Sequence, residues 1–79
     1  MRASNLDSSM IKRVLFDDDA QTLSIWFRES GRYIYYGVPR AIYDALVSAS
    51  SAGSFFNAAI KGRFECRFDP ARRKHRPHA

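Results

Sequence analysis

The sequence predicts an α+β fold, a small antiparallel β-sheet of three strands followed by two short helices that pack on one face of the sheet. Residues 10–36 contain short segments of alternating apolar and polar residues, separated by turn-forming residues. The Gly-Val-Pro sequence at residues 37–39 ends this pattern, and residues 40–60 then carry apolar side chains at helical spacing. The 79 residues are enough for one domain, with dense aromatic packing or a dimer supplying stability.

The strands are predicted at residues 10–16, 22–28 and 32–36, after a loose lead-in over residues 1–8. The middle strand has the clearest pattern, because Leu23, Ile25 and Phe27 lie on one face and Trp26 lies on the other. In the first strand the alternation is imperfect, so its inward face stays open. The three aspartates at residues 17–19 predict a turn, since Asp side chains hydrogen-bond to turn backbone.

The turn between the last two strands decides which face carries their tyrosines. A three-residue turn with Gly31 in the left-handed conformation pairs Phe27 with Tyr33 and directs Tyr33 and Tyr35 towards the core. A two-residue turn would instead direct both tyrosines to the side of Trp26. The position of Gly31 favours the three-residue turn.

Helix signals follow the sheet. Pro39 suits the start of a helix over residues 40–49, because a proline lacks the amide that a first turn leaves unpaired. Ser50 and Ser51 can cap a second helix, which ends before Gly62. Gly53 costs that helix roughly 1 kcal/mol relative to alanine, so we expect a close packing contact there. Alternation at residues 63–68 predicts a short fourth strand or an extended arm.

The net charge is +5, and residues 61–79 contribute all of the excess. Such a segment attracts polyanions, nucleic acid before acidic proteins or membrane surfaces, although an ordinary solubilising tail has the same composition. Residues 70–79 lack apolar periodicity and are expected to be disordered. We therefore predict a domain over residues 8–68 and a basic tail over residues 69–79.

Residues suited to catalysis are few. Both histidines, His75 and His78, lie in the tail, and Cys66 is the only cysteine, expected as a small core residue. No Gly-rich phosphate loop and no metal-ligand spacing is present. The sequence thus predicts a protein that is not an enzyme, uses no cofactor and binds no metal. A single cysteine, without a signal pattern or an apolar span, predicts a cytoplasmic protein.

The leading functional hypothesis is non-catalytic binding of tRNA-like or single-stranded RNA. On the hairpin face opposite the core, an aromatic ring can stack on a base while arginines neutralise phosphate. The predicted nucleic-acid-binding residues are Trp26, Arg28, Arg32, Lys61, Arg63, Arg67, Arg72, Arg73, Lys74 and Arg76. Tyr36 joins them on this face if the turn has three residues, and Tyr33 and Tyr35 join them if it has two. The alternative is a protein-interaction module, in which Trp26 and its neighbours form an interface with another protein or a second copy of the chain.

The second helix offers another surface. Ser54, Asn57 and Lys61 lie on one side of it, away from Phe56 and Ile60. A two-helix unit with such a face can enter a major groove. An ordinary solvated face is the more frequent explanation of this pattern.

The motifs from residue 23 onward occur in a characteristic order. They are Leu23-x-Ile25-x-Phe27, Gly31, Tyr33-x-Tyr35, Val38-Pro39, Tyr43, Leu46, Ala49-x-Ser51-x-Gly53-x-Phe55-Phe56-Asn57, Ile60 and Phe64. This combination resembles the KTSC domain, a family named for its occurrence at the C-terminus of some lysyl-tRNA synthetases and also found as a small stand-alone bacterial or phage protein. The resemblance implies a compact α+β module, and the association with a tRNA synthetase suggests RNA binding. It places Tyr33 and Tyr35 at the family's central Tyr-x-Tyr positions and implies no catalytic residue.

Overall fold

A computed structural model describes residues 1–69, which form one antiparallel sheet with its helices on one face. The strands are β1 (Arg2–Asn5), β2 (Ile11–Asp17), β3 (Thr22–Phe27), β4 (Gly31–Tyr36) and β5 (Cys66–Asp69), and they are adjacent in chain order. The helices are α1 (Arg40–Ser48) and α2 (Ala52–Phe55), and α2 continues into a π-helix (Phe56–Ile60). The predicted α+β class is confirmed, with five strands rather than three or four.

The two additional strands lie at the edges of the sheet. At one edge, β5 confirms the predicted fourth strand, although it begins at Cys66 and not at residue 63. At the other edge, β1 shows that the predicted loose lead-in was wrong, since Ser4 pairs with Val14 of β2. The residues of β1 lack apolar alternation, and tertiary contacts hold the strand. The hydroxyl groups of Ser4 and Tyr43 are hydrogen-bonded at 3.1 Å, and Arg2 forms an ion pair with Asp18 at 3.3 Å.

The hairpin between β3 and β4 has a three-residue turn, but its register differs from the prediction. Phe27 pairs with Gly31 and Ile25 pairs with Tyr33, so the pairing is offset by two residues from the predicted one. A two-residue offset preserves the faces of a strand, and Tyr33 and Tyr35 do lie on the core side as predicted. Gly31 begins β4 with a positive φ of 102°, and a Cβ there would lie 3.4 Å from the ring of Phe68.

The core lies between the inner face of the sheet and the helices. Its buried residues are Ile11, Val14, Phe16, Leu23, Ile25, Tyr35, Val38, Tyr43, Leu46, Ala52, Phe56 and Ile60. Helix α1 covers the β1–β2 side, where Tyr43 stacks on Phe16 with ring centroids 5.6 Å apart. Phe56 of the π-helix packs edge-on against Phe27 at 5.2 Å and Tyr35 at 5.7 Å. The helices thus occupy one face, and within residues 1–69 no helix covers the outer face.

The second helix is regular only in its first turn. Ser51 caps it as predicted, because its hydroxyl oxygen accepts a hydrogen bond from the Ser54 amide at 3.3 Å. The next segment is a π-helix, and it ends with the Lys61 amide donating to the Phe56 carbonyl at 2.9 Å. Gly62 follows with a positive φ of 75°, as expected of a helix-terminating glycine.

Substitution of Gly53 by alanine is expected to stabilise the domain by about 0.5–1 kcal/mol, because alanine loses less backbone entropy in a helix. Met10 contacts Gly53, but a Cβ would lie 3.5 Å from the Met10 sulfur, an ordinary van der Waals distance. Gly53 therefore packs against Met10, and the space between them accommodates the Cβ of an alanine. Urea unfolding of both proteins measures the change, and a lower free energy of unfolding in Gly53→Ala would contradict this reasoning.

Candidate nucleic-acid interface

The outer face of the sheet carries a row of long side chains. The strand register places Arg13, Trp26, Arg32 and Asp69 directly opposite one another on β2, β3, β4 and β5. Directly opposed residues in a sheet have Cβ atoms about 4.5–5.5 Å apart, so neighbouring long side chains in such a row contact each other. We call these four residues the Trp26 row.

Trp26 contacts a guanidinium group from each neighbouring strand. The Arg13 guanidinium carbon lies 5.3 Å from the centre of the Trp26 ring, and that of Arg32 lies 5.0 Å from it. Each contact is a cation–π interaction, worth about 0.5–1 kcal/mol at exposed sites. The indole is half-buried, so part of its surface stays accessible beside two positive charges.

The two arginines differ in how firmly they are held. Arg32 forms an ion pair with Asp69 at 3.1 Å, and another of its nitrogens lies 3.5 Å from the Ser24 hydroxyl. Its Nε is buried and has no hydrogen-bond partner among the described residues. Arg13 is exposed and forms no ion pair with a described residue, so its charge is available to an incoming anion.

A second row borders the first and is more apolar. It runs from Leu15 through Ser24 and Ile34 to Arg67, with Leu15 and Ile34 half-buried and Arg67 exposed. Tyr36, which is 37% exposed, lies on the same outer face and pairs with Thr22. Of the predicted site residues, the outer face therefore brings together Trp26, Arg32, Tyr36 and Arg67.

Arg13 belongs to this surface, although it was not among the residues predicted from the sequence. The register is irregular between Ile11 and Arg13, since these residues pair with Phe27 and Trp26, which are adjacent. The extra residue, Lys12, interrupts the alternation that would have shown Arg13 to face outward. Val14 and Phe16 face inward, and Arg13 and Leu15 alternate with them in the sequence. This alternation would have indicated that Arg13 faces outward.

Two of the predicted arginines, Arg28 and Arg63, donate hydrogen bonds to backbone carbonyls. Arg28 lies in the β3–β4 turn, where its guanidinium donates to the carbonyls of Ser8 at 2.6 Å and Leu6 at 3.3 Å. These bonds hold the loop before β2, and Arg28 also lines a surface depression together with Trp26 and Lys12. Arg63 donates to the Ala58 carbonyl at 3.1 Å near the end of the π-helix.

The inner face and the tail account for the remaining predicted residues. Tyr33, Tyr35 and Lys61 line a cleft on the inner face, between the sheet and the π-helix. They are therefore separated from Trp26 by the sheet. The last four predicted residues, Arg72, Arg73, Lys74 and Arg76, lie outside the described residues.

Tyr35 forms part of the floor of this inner cleft. Its side chain is buried, and its strand partner on β5 is Cys66, which is exposed and not the core residue that the sequence predicted. Burial raises the pKa of the Tyr35 hydroxyl above its ordinary value, and Cys66 and Tyr33 raise it further. These effects disfavour the phenolate, so Tyr35 stays neutral and can donate a hydrogen bond under alkaline conditions.

The raised pKa of Tyr35 predicts a loss of stability at high pH. Below about pH 10 tyrosine is neutral in both the folded and the unfolded chain, so the contribution is fully present. Above that pH the unfolded chain loses a proton that folded Tyr35 retains, and stability falls with a slope approaching about 1.4 kcal/mol per pH unit.

Urea unfolding between pH 8 and pH 11 checks this expectation. Tyr35→Phe should show a smaller alkaline decrease, whereas Tyr36→Phe, at an exposed position, should resemble the unsubstituted protein. Equal slopes for all three proteins would show that Tyr35 does not carry the effect.

Residues 1–69 contain neither a cluster of metal ligands nor a helix that could span a membrane. No group of three or more His, Cys, Asp and Glu residues in this part of the chain is arranged to hold a metal ion. No helix in the same part is long and apolar enough to cross a membrane.

Comparison with known proteins identifies the family. A protein of Tsukamurella paurometabola is 37% identical over 59 residues, which cover 75% of this chain and 88% of that protein. A lysine–tRNA ligase of Nostoc punctiforme is also 37% identical over 59 residues, but the match spans only 10% of the ligase. The crystal structure of a KTSC domain protein from Yersinia pestis superposes with a TM-score of 0.83 at 41% identity, covering 86% of this chain and 96% of that one. The family model named KTSC domain matches residues 7–64, so the chain belongs to the KTSC domain family.

Proposed function

We propose that this KTSC domain is a non-catalytic module that binds single-stranded or tRNA-like RNA on the outer face of its sheet. One observation carries the proposal. Trp26 lies on a face that no described helix covers, with the guanidinium groups of Arg13 and Arg32 at 5.3 and 5.0 Å from its ring. Proteins that bind single strands combine these two features, since bases stack on rings and cations neutralise phosphates.

Charge on and near this face supports the same function. Arg13 and Arg67 are exposed and form no ion pairs with described residues, whereas the carboxylate of Asp69 is paired with Arg32. The basic residues of the tail follow β5 directly in the sequence and would add a further attraction for polyanions.

The relatives add a contextual argument. Sequence similar to this domain makes up about a tenth of lysine–tRNA ligases from Nostoc punctiforme and Trichormus variabilis. Their name states that they act on tRNA, so a domain of this family occurs in proteins that meet RNA. Loops and ends of tRNA present unstacked bases, which a partly exposed ring on a sheet can contact, whereas the grooves of an RNA duplex offer no such base faces.

Salt dependence tests the electrostatic part of the proposal. Labelled single-stranded RNA and tRNA are titrated with the full-length protein at several salt concentrations, and the slope of log K against log salt is measured. Each phosphate contact to a single strand contributes about −0.7 to this slope. Arg13→Gln and Arg67→Gln should therefore each reduce the slope by about 0.7 and weaken binding.

Arg40→Gln is the matched control, because Arg40 is also exposed but belongs to α1, on the other side of the sheet, and is paired with Asp44 at 3.4 Å. It should leave both affinity and slope unchanged. Equal effects of the three substitutions would indicate attraction by net charge alone. Binding lost only when Arg72, Arg73, Lys74 and Arg76 are replaced by glutamine would attribute the interaction to the tail and refute a site on the sheet.

Self-association is a second candidate function, because the outer face also exposes apolar surface. Leu15 and Ile34 are half-buried next to Trp26, and such a surface also fits a protein interface. Light scattering over a concentration series decides this point. A dimer that dissociates in Trp26→Ala would favour self-association through this face, and a monomer at all concentrations would exclude it.

A further inference from the structure

The inner face of the sheet contains a second site, which the helices leave partly open. Helix α1 covers β1 and β2, and Phe56 packs against Phe27 and Tyr35. Beyond Phe56, a cleft of about 650 Å³ opens between the sheet and the π-helix. Sites for small ligands have volumes of about 300–1,000 Å³ and are lined mainly by apolar and aromatic side chains with a few polar groups.

Aromatic rings form the walls of this cleft. Tyr35 and Phe56 are buried at its floor, and Phe27 and Tyr33 are half-buried closer to its mouth. The rings meet edge to face, with interplanar angles of 77° for Phe27–Tyr33, 71° for Phe27–Phe56 and 76° for Tyr35–Phe56. Aromatic rings prefer offset-stacked or edge-to-face neighbours, so a planar ring is a chemically matched occupant.

The π-helix brings a cation to the mouth of the cleft. In a regular α-helix two residues five positions apart point about 140° away from each other. Here the Lys61 amide donates to the Phe56 carbonyl at 2.9 Å, which closes a wider turn, and both residues line the same cleft. Such π-helical turns occur frequently at functional sites. Lys61 is exposed and forms no ion pair with a described residue.

Three further polar groups surround the mouth. Ser9 and Ser30 supply hydroxyl groups, and Glu29 supplies a carboxylate. A carboxylate accepts hydrogen bonds from the exocyclic amino group of a base such as adenine or cytosine, and an ammonium binds phosphate as a point charge. The cleft thus combines aromatic walls, one cation and one carboxylate.

We infer that this aromatic cleft binds one nucleobase together with its phosphate, the base between the rings and the phosphate at Lys61. Adenine suits the site better than uracil, because only adenine has an amino group for Glu29. The base can belong to a free nucleotide or to an unpaired position in RNA, and only the RNA form rests on the function proposed above. The cleft lies on the opposite face of the sheet from Trp26, so the two sites are distinguishable by experiment.

The test uses amide NMR spectra of the full-length protein, titrated with adenosine 5′-monophosphate, uridine 5′-monophosphate and ribose 5-phosphate. We expect saturable shifts around Tyr33, Phe56 and Lys61 with the adenine nucleotide, weaker binding of the uridine nucleotide, and no binding of ribose 5-phosphate. Equal shifts with ribose 5-phosphate, or no saturation at millimolar nucleotide, would overturn the inference.

Two variants address the walls and the charge separately. Tyr33→Leu removes a ring but keeps an apolar side chain, and it should weaken nucleotide binding about tenfold. Lys61→Gln removes the charge of an exposed side chain, and it should weaken binding of adenosine 5′-monophosphate but not of adenosine. Unchanged affinity for the nucleotide in Lys61→Gln would overturn the assignment of the phosphate. Arg40→Gln also removes an exposed positive charge, but Arg40 lies outside the cleft, so this variant should leave nucleotide binding unaffected.

A short oligoadenylate separates the two sources of the base. Tighter binding than that of the mononucleotide, with shifts at the cleft, indicates RNA, whereas cleft shifts with the mononucleotide alone indicate a free nucleotide; both support the site. Shifts confined to the surroundings of Trp26 would refute the cleft and leave the proposed function standing. Shifts confined to the cleft would support the inference and contradict an RNA site on the outer face.

Discussion

Replacement of Phe16 by alanine is expected to lower the free energy of unfolding by about 3–5 kcal/mol, the range typical of a buried Phe→Ala change. Phe16 is 1% exposed, and its ring stacks on Tyr43 at 5.6 Å, so it joins the sheet to α1. The loss has two parts, the free energy gained by burying the ring and the cost of the cavity that its removal leaves. Since small domains are stable by only about 5–15 kcal/mol, the variant should be partly unfolded at moderate temperature.

Urea unfolding followed by fluorescence and by circular dichroism measures this change. Tyr36→Ala is the matched control, because Tyr36 is also an aromatic strand residue but is 37% exposed on the outer face. Tyr36→Ala should change the free energy of unfolding by no more than about 0.5–1 kcal/mol. A loss below about 1.5 kcal/mol in Phe16→Ala would show that the core relaxes around the missing ring and that the contact with Tyr43 adds little.

Replacement of Trp26 by alanine is expected to weaken RNA binding by about 1–3 kcal/mol, which corresponds to about 5- to 150-fold in Kd. The indole is the stacking surface of the proposed interface, and it also orients the guanidinium groups of Arg13 and Arg32. Its removal therefore takes away a base contact and loosens two cations. The salt slope should change little, because no charge is removed.

Trp26→Phe provides the control for this variant. It keeps a ring for stacking, so it should restore most of the affinity, whereas a merely structural role of the indole would leave both variants equally impaired. Urea unfolding of both variants verifies that they are folded at the temperature of the titration. Unchanged RNA affinity in folded Trp26→Ala would refute an interface centred on the Trp26 row.

Much of the fold follows from local sequence patterns. Alternation in Leu23, Ile25 and Phe27 predicted the middle strand and its inward face, and the apolar spacing after Pro39 predicted both helices. The orientation of Tyr33 and Tyr35 was predicted correctly although the register was not, because a slip of two residues leaves every side chain on the same face. Patterns with a period of two encode faces and not pairing partners.

The candidate sites depended on contacts between segments distant in the sequence. Trp26 could be recognised from its own strand, but its neighbours Arg13 and Arg32 were determined by a register that includes the irregularity at Lys12. Arg28 was expected beside Trp26, but its hydrogen bonds to carbonyls some 20 residues earlier in the chain were not predicted. Hydrogen bonds of this kind leave no periodic signal in the sequence.

The sequence by itself therefore determined the α+β class, the positions of the central strands and helices, and the inward orientation of the tyrosines, because hydrophobic periodicity is a local property. Only the tertiary structure decided that residues 2–5 form an edge strand and that Arg13 and Arg32 flank Trp26. It also decided that a π-helix places Lys61 beside Phe56 at the mouth of the aromatic cleft. These features arise from strand pairing and helix packing, whose free energy depends on residues that lie far apart in the chain.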